Sequence, residues 1–361
     1  MPKPIVLVTG GTGFVGSHVI SQLLAQNVYT VRAVARSASK LRAIFPDSES
    51  DGTAGRRLAS SNFEAVEIPS LTSDYTEALK NVQSVIHIAS PLYQSGISGE
   101  DIFQGAYHGT LHLVQQAIDA GVKKIVITGT FATLYDVNFA AVFGTQSLTE
   151  KDYGPAIAET IDLQNPNKAA IYQQSKTAAD KKLWEIAHAH PDVDITILLP
   201  PAIFGPLVPN YPLTSRASIG TNDIIYQLFL SGPENYPNIP FGHMVDVRDI
   251  ARAHLAALSA SPVPGRNKRL IVAYGTFTWK ALADLIRKER PEVADRVPRE
   301  DAPIVPQGAA PLDTSFAKEI LGMDQYIGWE ETMLAAVDVL LEFEKSGKNI
   351  ADPAHDYPSR G

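Results

Sequence analysis

Along the first two hundred residues, short apolar runs bounded by turn residues alternate with stretches whose apolar positions recur three and four apart. These are the periods of buried strands and of helices. The runs at 5–8, 30–35, 63–68, 84–89, 124–128 and 195–199 predict strands. Helices are predicted at 14–26, at 74–79 as a short piece, at 99–120 with Leu111, Val114 and Ile118 as its apolar positions and Gly121 as its cap, and at 170–189. Strand, helix and strand in that succession build βαβ units, so the chain predicts an α/β fold with a doubly wound parallel sheet of about six or seven strands. From Pro200 to Pro240 prolines, glycines and aromatics crowd together and the rhythm breaks, where a smaller C-terminal substrate-binding lobe leaves the sheet. A turn and helix at 244–258, a strand at 269–273 and helices at 279–290, 314–321 and 329–345 follow. The expected division is a dinucleotide-binding domain of residues 1–203 with 243–274, and a substrate lobe of 204–242 with 275–361. Residues 46–62 predict a long mobile loop and the tail after Gly347 loose order, while 134–169 is irregular and its segment 149–153 is expected at the surface near the site.

The joint between the first strand and the first helix reads Val8-Thr9-Gly10-Gly11-Thr12-Gly13-Phe14-Val15-Gly16, a G-x-x-G-x-x-G spacing. In a strand–turn–helix context Gly10 supplies backbone angles that a Cβ forbids, Gly13 admits a pyrophosphate close to the main chain, and Gly16 lets helix and strand pack closely. The N–H groups of the helix start then face phosphates. This points to a dinucleotide. An acidic residue at the end of the second strand would receive a ribose hydroxyl, but Ala35-Arg36-Ser37 stands there. Arg36, with Lys40 one turn later, suits a 2′-phosphate, because positive charge at a helix start opposes the helix dipole and needs another reason. The expected cofactor is therefore NADPH/NADP+. The fourth strand ends in Ala89-Ser90-Pro91, small enough to let a cofactor approach, and His87 before it reads as a satisfied core histidine.

Tyr172 and Lys176 stand four apart at the start of the helix after the long irregular stretch, which places both on one face. A neighbouring ammonium favours the ionised phenol and should bring its pKa towards the working pH. Tyr172 can then donate a proton to a carbonyl oxygen while a nicotinamide delivers hydride to the carbon.

Composition narrows the field. With 361 residues, 45% hydrophobic and 19% charged, the chain is ordinary for a globular protein, and a net charge of −8 disfavours nucleic acid and anionic membranes as partners. The absence of cysteine excludes disulfides, thiolate nucleophiles and Cys-ligated zinc, and no metal site is expected. The first strand begins almost at once, no apolar run has the length of a membrane span, and a cytoplasmic location is the expectation.

Taken together, Thr9 to Gly16, His87-Ile88-Ala89-Ser90-Pro91, Tyr172 to Lys176, Pro200-Pro201-Ala202-Ile203-Phe204-Gly205-Pro206 and His243 to Ala251 resemble the extended short-chain dehydrogenases/reductases. The branch is that of dihydroflavonol 4-reductase, cinnamoyl-CoA reductase and the fungal methylglyoxal/aldehyde reductases. The resemblance implies a Rossmann domain, Tyr172 as proton donor and Lys176 holding the nicotinamide ribose. It also implies a cofactor wall of Gly10, Thr12, Gly13, Phe14, Val15, Gly16, Arg36, Lys40, Ala89 and Ser90, with Pro200 and Ile203 beside the nicotinamide and Thr221 near the phosphates.

Three departures stand out. Where relatives carry a catalytic serine, this chain has Thr130, which keeps the hydroxyl and adds a methyl group; Ser70 replaces the aspartate that often meets adenine; and Pro201 has no N–H for the carboxamide. The implied activity is NADPH-dependent reduction of a small-molecule aldehyde or ketone, with Tyr93, Phe131, Tyr211 and Phe241 as candidate substrate contacts. A sugar-nucleotide epimerase or dehydratase of the same fold and a non-catalytic NADPH-binding regulator are the rivals, although Gly129-Thr130-Phe131 offers no acidic pair for a dehydratase. Substrate identity, reaction direction and oligomeric state are not legible.

Overall fold

A computed structural model describes residues 2–46, 62–93 and 96–347. The strands are β1 (Ile5–Thr9), β2 (Thr30–Ala35), β3 (Phe63–Glu67), β4 (Val82–His87), β5 (Lys124–Thr128), β6 (Asp194–Leu199), β7 (Ala202–Phe204), β8 (His243–Asp246), β9 (Lys268–Ile271) and β10 (Gly275–Thr276). The helices are α1 (Phe14–Gln26), α2 (Ala38–Ile44), α3 (Gly99–Phe103), α4 (Thr110–Asp119), α5 (Lys168–Ala189), α6 (Asp223–Leu230), α7 (Val247–Ser259), α8 (Trp279–Glu289), α9 (Ser315–Leu321) and α10 (Trp329–Lys345).

Seven strands form one sheet in the order β3-β2-β1-β4-β5-β6-β9, and every pairing in it is parallel. Alternate residues of each strand enter different cores. Val6, Val8, Val126 and Leu198 pack with α1 and α7 on one face, while Leu7, Ile125, Ile127 and Ile197 pack with α4 and α5 on the other. A sheet buried on both faces is what the near-continuous apolar runs require. Its order reverses between β1 and β4, and the crevice at that switch point, beyond the carboxyl ends of the strands, is where an open α/β sheet receives a ligand.

Several local expectations are corrected. Residues 74–79 make hydrogen-bonded turns, with Leu79 N donating to Tyr75 O at 2.8 Å, instead of a helix. The predicted helix at 99–120 is interrupted by a π-helical segment, Gln104–Gly109, between α3 and α4. There a Cβ on Gly105 would stand 2.5 Å from the Pro91 ring and one on Gly109 2.6 Å from Leu71 Cβ, so both glycines let the helix approach the loops after β4 and β3. The expected turn before residue 247 is β8, which joins β7 and β10 in a second, three-stranded sheet. The predicted loop at 46–62, except its two ends, and the tail after Gly347 lie outside the described residues.

Candidate active site

At the switch point β1 ends in the glycine turn. Gly10 has φ +75, in the left-handed region, and a Cβ there would stand 2.8 Å from Ala89 N. Gly13 N donates to Gly10 O at 2.9 Å and begins α1 with no side-chain cap and no acid in the first turn. Its N–H groups are thus left for an external anion. A cavity of about 1060 Å³ opens in front of this turn, lined by Gly10, Thr12, Gly13, Phe14, Val15 and Gly16. That exceeds the roughly 300–1,000 Å³ of a common small-molecule cleft.

Thr9 also lines this wall, a position the sequence reading did not assign, and a buried relay fixes it. Thr110 Oγ1 donates to Ala106 O (3.0 Å), so it accepts from His87 Nε2 (3.1 Å). His87 Nδ1 then accepts from Thr9 Oγ1 (2.8 Å), whose oxygen in turn takes the N–H groups of Ile88 (3.1 Å) and Ala89 (3.2 Å). Burial, with Lys176 nearby, pulls His87 down to about 3, which keeps the ring neutral as this pattern requires. His87 is the satisfied core histidine expected of it, and it locks the ends of β1 and β4.

Arg36 follows β2 and Lys40 sits in α2, both exposed at one end of the cavity with Ser70. Glu67, at the end of β3, accepts from Ala38 N at 3.2 Å. This carboxylate at the start of α2 was not anticipated, and its place in an edge strand gave no signal of it. Ala89 and Ser90 line the middle of the cavity. Ser90 Oγ is buried there without a hydrogen-bond partner among the described residues. An orphaned hydroxyl beside a cradle that a Cβ would fill fits a bound polar group, and so fits a dinucleotide.

Beyond β5, Gly129 N and Phe131 N donate to the carbonyls of Leu198 (2.7 Å) and Pro200 (2.9 Å), which ties the strand end to the next loop. Thr130 caps the 3-10 turn Phe131–Leu134, its Oγ1 accepting from Ala132 N at 3.2 Å. The hydroxyl proton remains available to a ligand. Opposite, α5 brings Tyr172 and Lys176 to the same cavity, and Lys176 Nζ donates to Thr128 O at 2.9 Å. Between them Gln173, also unassigned from sequence, donates to Ala132 O (2.8 Å) and Tyr135 O (2.7 Å) and so binds the helix to the Thr130 turn.

The expected fall in the Tyr172 pKa is corrected. Burial, and then Tyr93, push this phenol well above its usual range. Burial also pulls Lys176 down to about 8, against the opposing effect of Asp180. Desolvation of both groups outweighs their proximity, so the proton stays on Tyr172 at neutral pH.

Pro200, Pro201, Ile203 and Thr221 line the nearby wall, with Thr221 Oγ1 donating to Ile203 O. Tyr93, Phe131, Tyr211 and Phe241 also reach the cavity. Tyr93 meets Tyr172 edge-on with centroids 5.6 Å apart. Tyr135, Val137 and Phe139 extend this apolar surface, although their irregular segment gave no periodic signal. Residues 149–153 are not among the cavity's lining; the carbonyls of Glu150 and Asp152 are held by Arg269 instead.

A dinucleotide cradle at the switch point, with a tyrosine and a lysine four apart beside it, defines the class of extended short-chain dehydrogenases/reductases. Residues 6–272 match the family described as NAD dependent epimerase/dehydratase, and the chain belongs to that family. It is similar to a ketoreductase of Aspergillus niger, 31% identical over 330 residues, covering 88% of this chain and 92% of the relative. It is also similar to the NADPH-dependent methylglyoxal reductase of Saccharomyces cerevisiae, 26% identical over 352 residues, covering 94% and 98%. The fold matches the crystal structure of yeast methylglyoxal/isovaleraldehyde reductase complexed with NADPH, with a TM-score of 0.79 at 24% identity, covering 94% and 99% of the two chains. Among the described residues no helix is long and apolar enough to cross a membrane, and no group of three or more His, Asp or Glu side chains is placed to hold a metal ion.

Proposed function

We propose that this protein is an NADPH-dependent carbonyl reductase that converts an aldehyde or ketone to an alcohol. The observation that carries the reading is the convergence of the Thr130 hydroxyl, Tyr172 and Lys176 on the one cavity that the glycine turn opens into. The relatives named above as a ketoreductase and a methylglyoxal reductase support it. Gly10 to Gly16, Ala89 and Ser90 hold the dinucleotide, Arg36 and Lys40 meet its 2′-phosphate, Thr221 stands near its phosphates, and Pro200 and Ile203 flank its nicotinamide. Bound there, NADPH supplies the hydride that the carbonyl carbon accepts. Tyr172, kept protonated by burial, gives its Oη proton to the carbonyl oxygen. Thr130 donates a hydrogen bond to that oxygen as negative charge grows on it. Lys176, anchored on Thr128 O, favours the phenolate that Tyr172 leaves behind and holds the ribose. Tyr93, Phe131, Tyr211 and Phe241 enclose the substrate.

The chain then divides into a cofactor-binding body, residues 1–203 with 243–274, and a substrate lobe, 204–242 with 275–361. Among the described residues Asp101 is the only carboxylate lining the cavity, and it already takes the Ser98 hydroxyl at 2.6 Å. This favours reduction over a dehydratase, which needs an acid and base pair at the sugar. Steady-state NADPH consumption across a panel of aldehydes and ketones tests the reading. Stoichiometric oxidation of NADPH with alcohol formation is expected. A tightly retained nicotinamide with no net consumption would mark an epimerase, and NADPH binding without any turnover a regulator; either result overturns the proposal.

A further inference from the structure

Behind the Thr130 turn, on the side away from the cavity, lies a guanidinium that the proposed reaction does not use. Arg269 of β9 is 1% exposed, and a buried cation persists only where its donors are met. Its Nε donates to Asp180 Oδ2 at 2.7 Å, Nη1 to the carbonyls of Glu150 (2.6 Å) and Asp152 (2.7 Å), and Nη2 to Thr133 Oγ1 at 2.6 Å. The guanidinium lies over the Tyr153 ring, 3.8 Å from its centroid.

Thr133 has one hydroxyl proton. With Arg269 occupying a lone pair, that proton is directed at Thr130 O, 2.9 Å away, which Thr133 N also reaches at 3.2 Å. Without Arg269 the hydroxyl is free to rotate and the turn loses its second fastening. The other arm of the network ends on α5. Asp180 Oδ1 accepts from Trp184 Nε1 (2.9 Å) and Tyr153 OH (3.3 Å), and Asp180 follows Lys176 and Tyr172 by one and two helical turns on the same face. One guanidinium therefore joins the two elements that carry the reacting groups, at sequence separations of 136 and 89 residues.

We propose that Arg269 is a positioning residue for the reaction centre, acting through Thr133 on the Thr130 hydroxyl and through Asp180 on the helix that carries Tyr172 and Lys176. This rests on the carbonyl-reductase reading, and in particular on Thr130 touching the substrate oxygen. An ion pair that served stability alone would lower the melting temperature and leave turnover per cofactor-binding site unchanged.

The test compares Thr133→Val, Thr133→Ser, Arg269→Lys and Thr130→Ala in the full chain, with active sites counted by NADPH titration. Thr133→Val removes the hydroxyl at nearly constant volume. It should lower kcat about 10- to 100-fold while NADPH affinity stays near the parent's, since sub-ångström misplacement of a reacting group acts on turnover. Amide hydrogen exchange across residues 131–134, measured without cofactor, should quicken in the same variant. Thr133→Ser restores both. Arg269→Lys keeps a charge opposite Asp180 but not the planar fork, and reports the same split if Thr133→Val folds poorly. Parent-like kcat per site in both Thr133→Val and Arg269→Lys overturns the inference. If Thr130→Ala is impaired while those two are not, this inference alone falls; if Thr130→Ala turns over normally, the role of Thr130 falls with it, and carbonyl reduction itself falls only if the parent consumes no NADPH with any carbonyl.

Discussion

Replacing Gly16 by alanine asks whether the turn is packed as tightly as its geometry indicates. A Cβ at Gly16 would stand 2.1 Å from Gly10 O and 2.7 Å from Gly10 C, where contacts under 3.0 Å are essentially never tolerated. Both obstacles are main chain, so relief requires α1 to shift from β1 by about an ångström in an interior that is already close-packed. Val19, Ile20 and Leu23 of α1 are fully buried and oppose that shift. Overpacking of this kind costs about 1–3 kcal/mol. The displaced atoms are those facing the phosphates, so an upper-end cost falling on the bound state weakens NADPH about 100-fold, at 1.4 kcal/mol per factor of ten. Gly13→Ala is the internal control. Its Cβ would meet Gly10 O at 3.2 Å, and its backbone, φ −91 and ψ 169, is open to alanine. Titration of nicotinamide fluorescence with each variant, beside melting with and without NADPH, separates the two. Gly16→Ala should lose both affinity and melting temperature, whereas Gly13→Ala should melt near the parent and show its defect only towards cofactor. Parent-like affinity and melting in Gly16→Ala would refute the packing argument.

Four further outcomes follow from the site. Tyr172→Phe should bind NADPH normally and turn over at least ~100-fold more slowly, the lower end of what a positioned acid contributes; near-normal kcat would remove Tyr172 from the mechanism. Arg36→Ala should erode a preference for NADPH over NADH, because the guanidinium fork matches a phosphate better than a hydroxyl; equal use of both cofactors by the parent would exclude that role. Lys176 is pulled by burial to about 8, so kcat/KM should fall as pH rises through that value and the ammonium is lost. Asp180 favours the ammonium, so Asp180→Asn should move this falling limb to lower pH, and an unmoved limb would assign it to another group. Thr130→Ser keeps the donor and relieves crowding, and should remain active with a broadened tolerance for bulky carbonyls in a substrate panel; loss of activity would show that the methyl group, not the hydroxyl, is needed.

The central sheet was legible because a parallel strand covered on both faces must be apolar at nearly every position, as in Ile125-Val126-Ile127. The glycine turn was legible because its chemistry is local: the φ of Gly10 and the close approaches at Gly10 and Gly16 admit no other residue. Tyr172 and Lys176 share a helix face for the same local reason. The three-stranded sheet was not legible, since β7, β8 and β10 are too short to display a period of two. Nor was the π-helical segment, because a widened turn leaves the apolar spacing of a helix nearly intact while moving Gly105 and Gly109 against Pro91 and Leu71.

What escaped the reading of the site belongs to contacts between distant parts of the chain. The raised pKa of Tyr172 is set by how much protein closes over it, with Tyr93 contributing from the loop after β4. A four-residue spacing reports that Lys176 is near and says nothing of that burial, so the sign of the shift could not be read from the motif. Arg269 shows the same limit more sharply. As an arginine at the start of an apolar run it carries no local signal of burial, yet the fold closes the 149–153 segment over it and gives it hydrogen bonds to Asp180, Thr133, Glu150 and Asp152 behind the reaction centre. A motif names the groups that meet the substrate, because they must stand at fixed local spacings. The groups that hold them in place are chosen by tertiary proximity alone, which is why Gln173, Thr133 and Arg269 emerge only when α5, the Thr130 turn and β9 are brought together.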